Sequence, residues 1–179
     1  MLQLIIKGRE EWDEGKQEFV YTQGKTLQLE HSLVSLSKWE AKWQKAFLSA
    51  EEKTREETVD YIRCMTITQN VDPKIYTMLS KENLDAVNKY IECPMSATIV
   101  RETPGPRSHE TVTSELIYYW MISYQIPFEC QKWHLNRLLT LIRVCGIKNQ
   151  PPKKQSKKDI MSRNSALNAA RRKQLNTKG

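Results

Sequence analysis

Glu115-Leu116-Ile117-Tyr118-Tyr119-Trp120-Met121-Ile122, then Ile126-Pro127-Phe128, then Trp133-His134-Leu135-Asn136-Arg137-Leu138-Leu139-Thr140-Leu141-Ile142 is the most apolar stretch of the chain. Thr113 to Gln125 reads as one helix. Pro127 breaks it, because the residue before a proline is biased away from helical backbone. A second helix runs from Phe128 or Trp133 to Cys145, with Gly146 suited to its C-terminal cap. Together they predict a helical hairpin bent at 126–128, and they make the protein mainly α.

Upstream, helical punctuation recurs. Ser32 to Phe47 reads as a helix, and Leu29, Leu33, Leu36, Trp43 and Phe47 fall close to helical spacing, with Glu40 as the exception. Trp39 lies on the same side as Leu36 and Trp43, and two tryptophans four apart can stack along one stripe. That stripe is either a core-facing helix or a partner-binding ridge. Thr54 and Glu57 have capping-box spacing and open a helix to about Ile67. Asp72-Pro73 starts a short helix to Leu79, and Ser80 caps another through Glu92.

The N-terminal segment has a different period. Leu2–Ile6 and Gln17–Thr22 read as strands, Gln23-Gly24-Lys25 is a turn signal, and Thr26–Glu30 alternates. These predict a small β-hairpin or sheet that leans on helices for stability. Ala97–Val100 is a further candidate strand, placed to pair with that sheet. Thr103–His109 is a Pro- and Gly-rich loop. The fold class is therefore mainly α (α+β): a helical body over residues 1–147, open to subdivision at the 103–111 loop, with an N-terminal β element. Residues 148–179 form a basic tail, helical or disordered.

Charge separates the two parts. The formal net charge is +7, yet residues 1–147 hold 18 Lys/Arg against 20 Asp/Glu, and residues 148–179 hold 10 against one. The body alone should not attract polyanions by its field. The tail cations Lys153, Lys154, Lys157, Lys158, Arg163, Arg171, Arg172 and Lys173 suit phosphates, with strong salt dependence. The tail has no aromatic residue to stack on bases, so nucleic-acid binding through it would be weak and unselective. A basic helix of this kind equally suits an acidic partner, or serves solubility alone.

Chemistry-bearing motifs are sparse. The sequence has no Gly-x-Ser-x-Gly and no Gly-rich phosphate loop. Four cysteines at 64, 93, 130 and 145 form no Cys-x-x-Cys pair, which reads as free thiols in a reducing compartment. Cys130 and His134 are one helical turn apart, but a core cysteine beside a half-buried histidine explains them without catalysis. They supply at most two of the four ligands a structural zinc needs. The expectation is a protein without catalytic residues, metal or cofactor. No apolar run approaches the roughly 18–20 residues that cross a bilayer, and the acidic start argues against a secretory signal.

The 115–142 pattern, a helix ending in an apolar-Pro turn followed by Trp and a Leu-rich helix, resembles tail assembly chaperones of tailed bacteriophages. Leu29–Glu40 and Arg163–Arg172 also resemble sequences of phage structural gene clusters. The resemblance implies a helical, non-enzymatic protein in the cytoplasm of an infected bacterium, usually absent from the finished particle. Its implied partners are the tape measure protein and the tail tube protein, and a homo-oligomer is compatible with that role. The basic tail departs from the family's pattern and suits a virion component, in the tail or connector or near packaged DNA. Candidate partner-binding residues are Trp39, Trp43, Trp120, Phe128 and Trp133, aromatic anchors of the kind interfaces use, with Arg171, Arg172 and Lys173 on the tail.

Overall fold

The structure, a computed structural model, describes residues 1–15, 17–99, 111–149 and 156–176. The chain divides into two compact units, Met1–Lys148 and Asn149–Gly179. The first is α+β. In chain order it holds strands β1 (Leu2–Ile6), β2 (Arg9–Asp13), β3 (Glu18–Thr22) and β4 (Lys25–Leu29). Helices α1 (Leu33–Trp43), α2 (Arg55–Met65), α3 (Lys74–Thr77), α4 (Lys81–Glu92), α5 (Ser114–Ser123) and α6 (Leu135–Lys148) follow, with a 3-10 turn at Phe128–Lys132 before α6. The second unit holds α7 (Lys157–Leu175). Among the described residues no helix is long and apolar enough to cross a membrane.

Gln23-Gly24-Lys25 is not the turn of a hairpin between β3 and β4. β3 pairs with β2 and β4 with β1, both antiparallel, from Leu2 opposite Leu29 to Asp13 opposite Glu18. The register carries through both ladders without a slip, so the four strands form one long ribbon interrupted at residues 7–8 and 23–24. Glycine is required at the interruption. A Cβ on Gly24 would lie 2.4 Å from the Ile6 carbonyl oxygen and 2.6 Å from the Gly8 nitrogen. The alternation of β1 and β4 turns Leu4, Ile6, Leu27 and Leu29 inward. The free edge of β4 is covered by the end of α2: Glu30 donates to the Met65 carbonyl (2.9 Å) and Ile67 to that of Gln28 (2.8 Å). Ala97–Ile99 form no strand, and Val100 lies outside the described residues. Ile99 is exposed and Thr98 N–H instead bonds Ser96 Oγ (3.1 Å).

α1 is the shared wall of two cores. Trp39 faces the first core, with Leu4, Ile6, Leu27, Leu29, Tyr61, Ile62, Met65, Ile75, Val87 and Tyr90. Leu33 and Leu36 face the second, with Ile117, Met121, Ile126, Cys130, Leu135, Leu138 and Ile142. The expected single stripe is thus two. The helix also ends earlier than Phe47, at Gln44 in left-handed backbone. Phe47 lies beyond it and stacks on Tyr61 at 3.8 Å.

Local signals placed helix starts better than helix ends. Thr54 and Glu57 exchange the two bonds of a capping box (3.2 and 2.8 Å), and Ser80 with Asn83 does the same. Asp72 accepts the Lys74 N–H (2.9 Å), but α3 stops at Thr77 rather than Leu79. Gly146 is not a cap, because α6 continues to Lys148. It admits Tyr124, whose Oη lies 3.1 Å from where a Cβ would stand. The 103–111 loop, apart from Thr111, lies outside the described residues, as do residues 150–155.

Candidate functional surfaces

Where the two cores meet, the chain buries a polar seam. His31, between β4 and α1, and His134, before α6, are both buried, with ring centroids 5.1 Å apart. His31 Nδ1 bonds Tyr61 Oη at 2.6 Å. His134 Nε2 lies 3.0 Å from the Tyr90 carbonyl, and its Nδ1 is 3.3 Å from the Asn136 N–H. The carbonyl requires a donor and the amide an acceptor, so His134 is the neutral tautomer protonated at Nε2. Burial, with His134 beside it, pushes the His31 pKa down to about 3. Burial also lowers that of His134, against the pull of the Tyr90 carbonyl and Glu30. Burial holds the Tyr61 and Tyr90 phenols well above their usual range, and Glu30 raises Tyr90 further through a 2.7 Å bond.

The seam joins the elements. Leu135 N–H donates to the His31 carbonyl (2.7 Å). Asn136 Nδ2 donates to the carbonyls of Ile91 and Cys93 (2.8 and 2.9 Å). With both His134 nitrogens engaged by backbone, the ring has no lone pair to offer Cys130, and the two act as packing residues. Among the described residues, no three His, Cys, Asp or Glu side chains gather into a metal-binding group.

The predicted interface aromatics do not form one surface. Trp39 is 1% exposed and donates to the Glu57 carbonyl (2.9 Å), so it offers a partner nothing. Trp43 is half-buried, its indole N–H committed to Asp60 Oδ2 (2.9 Å), with Lys42 Nζ over its ring at 5.3 Å. Trp120 and Trp133 are half-buried on the second core, and Arg137 covers the Trp133 ring at 4.2 Å. Phe128 is 54% exposed, and Tyr119 and Ile122 on α5 are also exposed. Arg171, Arg172 and Lys173 lie in the last turns of α7, which has no buried residue at all.

Two surfaces escaped the sequence reading. The first is the distal ribbon. Trp12 stands opposite Phe19, and Glu10 opposite Tyr21, so the four share one face. Trp12 and Phe19 meet edge to face at 5.0 Å. Trp12, Phe19 and Tyr21 remain 52, 71 and 62% exposed. The Glu18-Phe19-Val20-Tyr21 alternation was the available signal; β2, spelled Arg-Glu-Glu-Trp-Asp, gave none.

The second surface is a cleft of about 520 Å³ between α1, α2 and α3. Trp43, Val59, Pro73 and Tyr76 supply its apolar wall, and Lys42, Arg55 and Arg63 its cations. Lys42 pairs with Asp60. Burial opposes ionisation of Asp60, but its bonds to Lys42 and Trp43 hold the carboxyl below the usual range. A second cleft of about 560 Å³, lined by Lys7, Arg9, Leu79 and Glu82, shares Arg55 and Thr77 with the first. Both fall within the roughly 300–1,000 Å³ typical of binding sites.

No protein-family model matches the chain, and no curated protein or solved structure does.

Proposed function

We propose that the chain is a non-enzymatic, protein-binding assembly factor, and specifically a tail assembly chaperone of a tailed bacteriophage. Its clients on this reading are the tape measure and tail tube proteins, and it acts in the infected cell without joining the particle. The resemblance at 115–142 supports the specific role. The observation that carries the general one is the surface of α7 and the ribbon. α7 runs for 19 residues with none buried, and Ile160, Met161, Leu167 and Leu175 are all exposed. A helix that buries nothing of its own gains little tertiary stability, and a client helix would supply it. The exposed aromatics Trp12, Phe19 and Phe128 offer anchors of the type that dominate interface energies.

Co-expression tests this reading. The tape measure protein from the same gene cluster should be soluble with this chain and insoluble without it. Equal solubility in both cases overturns the chaperone role. The exposed cations of α7 favour a second reading, a virion or nucleic-acid-associated protein acting through that helix. It predicts steeply salt-dependent binding to DNA of any sequence, lost on deleting residues 150–179.

A further inference from the structure

The acidic, aromatic tip of the ribbon and the arginine-rimmed cleft are complementary, and both belong to the same unit. Residues 9–18 hold five acids, Glu10, Glu11, Asp13, Glu14 and Glu18, against Arg9 and Lys16. Of these, Glu10 shares the strand face of the exposed Trp12–Phe19 pair. The cleft has an apolar wall of Trp43, Val59, Pro73 and Tyr76, and Lys42, Arg55 and Arg63 outnumber Glu56 and Asp60 among its charged lining residues. Both arginines are exposed, and among the described residues neither has a carboxylate in ion-pair range.

A chain cannot fill its own cleft this way. Lys7, Gly8 and Arg9, at the base of the distal ribbon, line the neighbouring cleft beside Arg55. The tip lies a further four paired residues along the ladder, about 14 Å at strand rise. Folding back would break the ladder that presents the aromatic face. We propose that the occupant is a second copy of this chain, whose ribbon tip seats Trp12 and Phe19 against Trp43 and Tyr76 while Glu10 and Glu14 meet Arg55 and Arg63. The contact is head-to-tail, so a pair retains one unused tip and one unused cleft, and assembly closes into a ring or continues as a filament.

The test is sedimentation of the full-length protein and two variants, Trp12→Ser at the tip and Arg63→Glu at the cleft, from micromolar to sub-millimolar concentration. Wild type should self-associate, less strongly in high salt. Each variant alone should associate at least about tenfold more weakly. Mixed, the two should recover a one-to-one heterodimer, because the Trp12→Ser chain keeps a sound cleft and the Arg63→Glu chain a sound tip. A wild type that stays monomeric overturns the proposal. So does a mixture that yields no heterodimer, or a cleft variant that associates like wild type, which would mean tip-to-tip contact instead. Failure here leaves the client-binding reading standing, since co-expression solubility does not depend on self-association.

Discussion

Lowering the pH from 7 to 5 should weaken the fold through His31. Its folded pKa is about 3, against about 6.5 in an unfolded chain. A depressed folded value means the stabilisation is fully present above the unfolded pKa. It is lost as pH falls toward the folded one, because only the unfolded chain takes the proton in that interval. Integrating the linkage relation from pH 7 to 5 gives a loss of about 1.9 kcal/mol from His31 alone. His134, also lowered, adds a loss of the same sign. The depressed carboxyls of Glu57, held by Lys45 and the Thr54 N–H, and of Asp60 act at lower pH. Their unfolded values lie near 4, so they contribute little in this window. With a urea slope of about 2 kcal/mol per molar, the midpoint should fall by about 1 M between pH 7 and 5. Urea unfolding followed by tryptophan fluorescence measures this directly. His31→Gln removes the titrating ring and should flatten the dependence, leaving the part due to His134. An unchanged wild-type midpoint, or a His31→Gln variant as pH-sensitive as wild type, would refute the buried neutral histidine.

Three further outcomes follow from the packing. Glu40 is buried and accepts the N–H groups of Ser114 (2.7 Å) and Phe47 (2.9 Å), so Glu40→Ala strands two amides and should cost about 2–4 kcal/mol in urea unfolding. Gly24→Ala drives a Cβ into backbone at Ile6 and Gly8, and should lower stability by about 1–3 kcal/mol in urea unfolding while leaving the helical far-UV signal of the folded protein unchanged. Leu36, fully buried in the second core, should cost about 2–5 kcal/mol when truncated to alanine, read as a shift in thermal midpoint.

What the sequence revealed was local. The capping boxes at Thr54 and Ser80 involve residues three apart. Their geometry needs nothing distant, and the helix starts they predict are where the helices begin. What it hid depended on partners far along the chain. Glu40 looked like a flaw in an apolar stripe because its partner Ser114 arrives from 74 residues away. Arg9–Asp13 has poor strand propensity and becomes a strand only because Glu18–Thr22 is there to pair with it. Helical spacing put Trp39 and Trp43 on one stripe but did not distinguish the ring that is buried from the one that lines a cleft. Trp12 stood in a charged run with no periodicity, so the exposed aromatic face was legible only once the register was known.

The most direct test of the assembly role is affinity capture of the tagged full-length protein from the cells in which particles are made. Mass spectrometry of the capture is read beside the protein list of purified particles. The account predicts a long coiled-coil protein and a tube subunit in the capture, with this chain missing from the particles. A capture holding no tail protein, but nucleic acid released by nuclease, would contradict it and move the function to the cations of α7.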